Sequence, residues 1–248
     1  MKLSLEIPTA HLEELSPLTD ADFALAHLVL NDKQYAAFYK EQRKAGRRVI
    51  LDNGMHEMGK SLTVGEIIEA AKLINPTVVC PPDKLGDGPF TYTSFSTMQK
   101  HPGFSPNWDL GLILQGPERF QRVAFFSQMS QYTNTLLLPF REPRTEWITE
   151  LVQAMPPHFV WPSYLHLLGM STLEELQWFS AFGRVSKWPA KRITVDTGKP
   201  IKWALAGKKL DDVEQLRGGG QLKHDAKMDL AQMNRALYNI AFLRSRME

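Results

Sequence analysis

The chain has 248 residues, 43% of them hydrophobic and 23% charged, which is enough to bury a core and excludes disordered, collagen-like and disulfide-scaffold classes. Cys80 is the single cysteine, so an internal disulfide and a multi-cysteine zinc site are excluded and a reducing compartment is the natural setting. The net charge of +2 is unevenly spread: residues 184–248 carry 14 Lys or Arg against 7 Asp or Glu, and residues 1–183 carry 15 against 20, a split that suits a polyanion partner for the C-terminal part.

Met1–Ala10 has neither the basic nor the apolar region of a signal peptide, and no run reaches the roughly 18 apolar residues of a membrane span, so a cytoplasmic protein without a membrane partner is expected. Short apolar runs then recur along the chain. Leu28–Leu30 and Val49–Leu51 come first. A helix follows from Thr63-x-x-Glu66, where the threonine caps and the glutamate reaches back, with Ile67, Ile68, Ala71 and Ile74 behind it. Thr77–Cys80 and Leu110–Leu114 are the next runs, and Pro117 opens a helical segment at Glu118–Met129. Thr135–Leu138 and Tyr164–Leu168 precede a second capping pattern, Ser171-x-x-Glu174, ahead of Leu176 and Phe179. Ile193–Val195 is the seventh run and Trp203–Ala206 a candidate eighth. Lys227–Arg244 closes the chain as a long helix with Leu230, Met233, Leu237 and Ile240 on one side.

The runs are continuous rather than alternating, as in parallel strands buried on both faces. Seven or eight strand–helix units without a Pro-, Ser- or Gly-rich linker predict one domain over residues 1–248, a (β/α)8 TIM barrel with a basic C-terminal part, and an open doubly wound sheet is the alternative. Gly218–Gly220 is the one low-complexity patch and reads as a flexible loop, because neither a P-loop nor a dinucleotide fingerprint surrounds it.

In such a barrel the residues just past the strand ends carry the chemistry. Asp52-Asn53-Gly54 follows the second run, Pro82-Asp83 the third, Gln115-Gly116 the fourth, Gly169 the sixth and Asp196-Thr197-Gly198 the seventh. Any one acid there has a plain use as a helix cap; three acids on three strands with an amide point further. Two carboxylates across a glycosidic bond supply an attacking group and a proton carrier, and a third beside an amide is suited to the donor edge of a purine, with Asp83 accepting and Gln115 donating.

In their order these motifs resemble those of the tRNA-guanine transglycosylases, and within them the short phage-type branch that places 7-deazaguanines in DNA. Asp52-Asn53-Gly54 is similar to the family's Asp-Ser-Gly-Gly segment, Pro82-Asp83 to its Asp-Glu segment, Leu114-Gln115-Gly116 to Val-Gln-Gly, His166-Leu167-Leu168-Gly169 to Leu-Met-Gly, and Val195-Asp196-Thr197 to the strand end that bears the nucleophile. The resemblance spans about residues 49–200. It implies a (β/α)8 barrel in which Asp196 attacks C1′ of a deoxyguanosine, Asp52 serves as general acid and base, and a free 7-deazaguanine such as preQ0 replaces guanine. Asp83, Gln115, Gly116, Gly169, Asn53 and Gly54 would hold the base, and no cofactor is implied. The family's three-cysteine, one-histidine zinc site has no counterpart, so no metal is expected, and weight moves from tRNA toward DNA. Asn53 and Met55 stand where the family has small residues.

Lys199, Lys202, Lys208 and Lys209 are the expected backbone contacts, with Arg141 and Arg144 as further phosphate ligands. His56 and Glu57 are too few for a metal site, His166 reads as a core histidine, and Trp161, Trp178 and Trp188 read as packing or stacking residues. The other readings are a tRNA enzyme lacking the zinc domain, a barrel N-glycoside hydrolase using the same acids with water, and a nucleic-acid-binding module without turnover.

Overall fold

The computed structural model describes residues 1–140, 142–170, 172–186, 192–212 and 221–247. Arg141, Ser171, Trp188 and Gly218–Gly220 lie outside the described residues. The strands are β1 (Lys2–Leu5), β2 (Asp22–Leu25), β3 (Val49–Asp52), β4 (Val78–Val79), β5 (Asp109–Leu110), β6 (Leu112–Ile113), β7 (Thr135–Leu138), β8 (Tyr164–Leu167) and β9 (Ile193–Thr197). β2, β3, β7 and β9 are buried at every residue, and in β3, β7 and β9 this is why the sequence shows continuous apolar runs.

The strand order is β2-β3-β4-β5 in one stretch and β6-β7-β8-β9-β1 in the other, with β5 and β6 separated only by Gly111. That makes eight consecutive strand positions, and every pairing with a described register is parallel. Sequential parallel order with helices in the connections is the (β/α)8 fold. Gly111 is the changeover between the two stretches: its N–H donates to Val79 O at 3.0 Å, and Leu114 N–H then turns to Leu137 O at 3.0 Å. A Cβ at Gly111 would lie 2.5 Å from Leu137 Cδ1, so the close approach of neighbouring chains explains a glycine inside a strand run.

The chain falls into two compact units, Asp22–His166 and the joined ends Met1–Ala21 with Leu167–Glu248. In the central unit, Asp32 caps the helix Lys33–Lys44, Thr63 and Glu66 form the expected capping box of Val64–Ile74, and Asp87 caps Gly88–Gln99. Arg119–Met129 and Arg144–Ala154 complete its longer helices. In the unit of the two ends, β1 pairs with β9 so that Ser4 lies opposite Asp196 and Leu5 opposite Thr197. Its longer helices are Leu173–Val185, Lys199–Leu205 and Leu230–Ser245.

Four expectations about elements are corrected. Leu28–Leu30 lies in the helix Ala26–Asn31, and the strand is the fully buried Asp22–Leu25 just before it; a three-residue apolar run carries no period that separates strand from helix. Trp203–Ala206 is not a strand either, because Pro200 opens the helix Lys199–Leu205 over most of it. In the last helix the buried side is Ala236, Asn239, Ile240 and Leu243, whereas Leu230 is 78% exposed. Asn239 fixes that face: its Oδ1 accepts from Leu210 N at 2.8 Å and its Nδ2 donates to Pro200 O at 3.0 Å. Leu237 is exposed as well, and a buried amide bonded this way outweighs the two misplaced leucines. The second capping pattern is shifted by one residue, with Thr172 accepting from Glu175 N.

Candidate functional site

The central unit carries six of the residues expected to act on or hold the base: Asp52, Asn53, Gly54, Asp83, Gln115 and Gly116. Asp52 ends β3, and the chain then turns through Gly54 at φ +76°, whose N–H donates to Asp52 Oδ2 at 2.8 Å. A Cβ on Gly54 would lie 2.8 Å from Met58 Cε and 3.0 Å from His27 Nδ1, so both the dihedral and the space call for glycine. Gly54→Ala is expected to cost about 1–3 kcal/mol, a loss that chemical denaturation would read directly. An unchanged midpoint and slope would show that His27 and Met58 give way freely.

Asn53 ties this turn to the segment after β4. Its Nδ2 donates to Pro81 O at 2.7 Å and to Asp83 Oδ1 at 2.9 Å, and its Oδ1 accepts from Met55 N at 2.9 Å. Both amide hydrogens are therefore committed to the protein, and the expected direct base contact from this amide's donors is corrected to a role in positioning Asp83. Asp83 is buried, and its Oδ2 accepts from Gln115 Nε2 at 2.9 Å. Ser61 closes the other side: it receives Asp83 N–H at 3.0 Å and donates to Asp83 O at 2.6 Å. Burial raises the Asp83 carboxyl above the ordinary carboxylate range, against the opposing pull of hydrogen bonds from Asn53, Gln115 and Ser61.

Gln115 is equally fixed. Its Oε1 accepts from Gly86 N at 3.1 Å, so its Nε2 must face Asp83, and one Nε2 hydrogen is left over for a ligand. Gly116 follows at φ +123° and gives its carbonyl to Arg122 Nη1 at 2.9 Å; Arg122 is in turn paired with Glu150 at 2.7 Å. Gly86 lies in the segment that follows β4, whereas Ser61 and Arg122 sit in no motif and at no strand end and so carry no signal in the sequence.

The other unit holds Asp196 and Gly169. Asp196 is buried on β9, and Gly169 N–H donates to its Oδ1 at 2.9 Å. The Gly169 N–H thus orients a carboxylate, so of its backbone groups the carbonyl is the one left to the expected base contact. Glu6 lies just past β1, buried, with its N–H donating to Thr197 O at 3.2 Å. Burial lifts the Glu6 carboxyl to about 7, with Lys202 opposing that rise and Asp196 adding to it. Glu6 is not legible in the sequence because β1, Lys2-Leu3-Ser4-Leu5, alternates polar and apolar residues and forms no continuous apolar run.

The cationic residues separate into two groups. Lys208 and Lys209 are exposed, their ammonium groups 5.2 Å from the Trp203 ring centre and 4.6 Å from that of Tyr238. Lys199 and Lys202 are half-buried, and the Lys202 stem lies against Gly198 beside Glu6, so Lys202 is corrected from a backbone contact to a partner of that carboxyl. Arg144 is 1% exposed and its Nη1 points at Leu138 O at 3.4 Å, which removes it as a phosphate ligand.

His166 is buried with its ring stacked on Phe23, as expected of a core histidine. Trp161 packs on Phe126 and Phe159, Trp178 stacks on Phe182, and the His56 ring meets Phe140 edge-on. Among the described residues, no group of three or more His, Cys, Asp or Glu is arranged to hold a metal ion, and no helix is long and apolar enough to cross a membrane.

No family model and no curated protein matches the chain. Among solved structures it is similar to N-acetylneuraminate lyase from Mycoplasma synoviae, at 10% identity and a TM-score of 0.49, over 83% of this chain and 74% of the lyase. It is also similar to D-allulose 3-epimerase from Methylomonas sp., at 10% identity and a TM-score of 0.47, over 99% of this chain and 98% of the epimerase. At that level of likeness the fold rests on the strand order of the chain itself.

Proposed function

We propose that the protein is a base-exchange transglycosylase that replaces guanine in DNA with a 7-deazaguanine. Asp196 attacks C1′, the C1′–N9 bond breaks with its electron pair going to the base, and Asp52 gives the departing guanine a proton. The incoming 7-deazaguanine returns a proton to Asp52 as its ring nitrogen displaces Asp196, so that one nucleoside replaces another and no redox partner is needed. The observation that carries this reading is the buried Asp83–Gln115–Asn53 cluster, in which a carboxylate acceptor stands beside an amide with one spare donor. Such a pairing suits the N1–H, exocyclic amine and O6 edge of guanine and of its 7-deaza analogues.

The test is expression in cells that make 7-deazaguanine precursors, followed by separate digestion of DNA and tRNA to nucleosides and mass spectrometry of both. A 7-deazaguanine nucleoside in DNA alone is the expected result. The same nucleoside in tRNA alone would move the activity to tRNA, and its absence from both would overturn the reading in favour of hydrolysis or binding.

Lys208 and Lys209 are the exposed cations proposed to meet the phosphate backbone. Replacing both with Ala should weaken DNA binding similarly on every sequence and lower the slope of log K against log salt by about 2. A binding isotherm series from low to moderate salt measures this, and an unchanged slope would remove them from the interface.

A further inference from the structure

Glu6 is a buried acid that the exchange steps above leave without a task. In the parallel β1–β9 pairing, Ser4 and Asp196 are register partners and so share a face of the sheet. The Glu6 N–H to Thr197 O bond carries that ladder past the end of β1. Side chains alternate along an extended chain, so Glu6, two residues beyond Ser4, returns to the side of Asp196. Its neighbour across the ladder is Gly198, where a Cβ would stand 3.0 Å from Glu6 Oε2 and 3.1 Å from Lys202 Cε. A side chain at position 198 would push into both; its lack lets the carboxyl and the lysine stem close over the backbone.

We propose that Glu6 and Asp196 work as a carboxyl pair that holds one negative charge opposite Lys202 throughout the exchange cycle, with Glu6 protonated while Asp196 is a free carboxylate and ionised while Asp196 is esterified. This rests on the reading of Asp196 as the attacking group. Two carboxyls in one desolvated place do not both ionise cheaply; Asp196 is held as an acceptor by the Gly169 N–H, so the proton goes to Glu6, whose carboxyl burial raises. Attack on C1′ converts Asp196 from an anion to a neutral ester. The repulsion that added to burial in keeping the proton on Glu6 then ends, Lys202 is left to draw the carboxyl down unopposed by Asp196, Glu6 releases that proton to solvent, and its carboxylate becomes the counter-charge of Lys202. Displacement of the ester by the incoming base reverses the change, with Glu6 taking a proton back. Charge is conserved at each stage, and Lys202 is never left without a partner. The charged groups facing Glu6 are Asp196 on β9 and Lys202 on the helix Lys199–Leu205, and Asp52 remains the proton carrier for the base. Glu6 acts through Asp196 and is a positioning residue rather than a catalytic one.

Carboxyl NMR of protein labelled with 13C at glutamate and aspartate side chains tests the pair without substrate, with Glu6→Gln assigning the Glu6 signal. Glu6 is expected to titrate near pH 7 in the wild type. Its midpoint should fall in Asp196→Asn, which imitates the discharged state, and rise in Lys202→Met. A midpoint that stays put in Asp196→Asn overturns the proposal, and Lys202→Met supplies a separate check should the first variant fold poorly.

The second measurement is the fraction of trapped protein–DNA adduct against pH, below pH 7. The wild type releases one more proton per adduct than Glu6→Gln, so its log adduct ratio should run more positive by up to one decade per pH unit. Parallel profiles would overturn the role in the cycle. A wild type that forms no adduct at all, with the NMR shifts as expected, would instead overturn the exchange reading and leave the one-charge pair standing.

Discussion

Asp196→Asn should fold, bind DNA and form no covalent adduct, with base exchange lowered by about four orders of magnitude or more, the scale reached when the attacking group of an enzyme is removed. The fold is expected to survive because the contact that orients residue 196 survives: an asparagine Oδ1 still accepts from Gly169 N–H, now at 2.9 Å from the carboxylate oxygen. Position 196 is also relieved of a buried charge next to Glu6, whose carboxyl is pushed up partly by that charge. What is lost is nucleophilicity, since an amide oxygen is a poor attacking group at the anomeric carbon. Denaturing gels of protein mixed with labelled DNA, beside a fluorescence binding assay under native conditions, separate the two properties. An adduct that persists in the variant would take Asp196 out of the role, and loss of both adduct and binding would mean that the carboxylate holds the nucleic acid rather than reacting with it.

The strands that the sequence revealed are those it buries on both sides. Val49–Asp52, Thr135–Leu138 and Ile193–Thr197 have no polar face, so their runs are unbroken and their ends could be located to within two residues. With those ends came Asp52 and Asp196, whose positions are set by where a strand stops. β1 was hidden because Lys2 is exposed and Ser4 spends its hydroxyl on Ala21 O, so its four residues lack an apolar run. Glu6 was hidden with it. The contacts around Asp83 are illegible for a different reason: Ser61, Asn53 and Gln115 reach it from 22, 30 and 32 residues away in order, and nothing local marks a residue that bonds across that gap. The buried face of the last helix is not legible from its leucines because Asn239, a polar residue, decides which side is buried.

Asp83→Asn should lower kcat/KM for base exchange by about 10- to 150-fold, the worth of about 1.5–3 kcal/mol for hydrogen bonds to a charged acceptor, and should blunt the preference for guanine-type bases. The effect follows from a chain of fixed polarity. Gly86 N–H donates to Gln115 Oε1 at 3.1 Å, so Gln115 turns its Nε2 toward residue 83, and Asn53 turns its Nδ2 there from the other side because Met55 N–H occupies its Oδ1. Residue 83 must accept on both oxygens, and an asparagine accepts on one only. Either Gln115 or Asn53 is left facing a donor, and the amide presented to the base offers hydrogens to hydrogens. The pH dependence supplies an independent check. Burial raises the Asp83 carboxyl, so the native state holds its proton to a higher pH than the unfolded chain does, and stability falls as pH rises from the ordinary carboxylate value through the raised one. Base binding runs the opposite way, gaining as the carboxylate forms. In Asp83→Asn both dependences should vanish together, as read by calorimetric titration with preQ0 and by denaturation across the same pH range. Base preference and affinity that match the wild type would show that the cluster braces the loop after β4 and leaves the base to other residues.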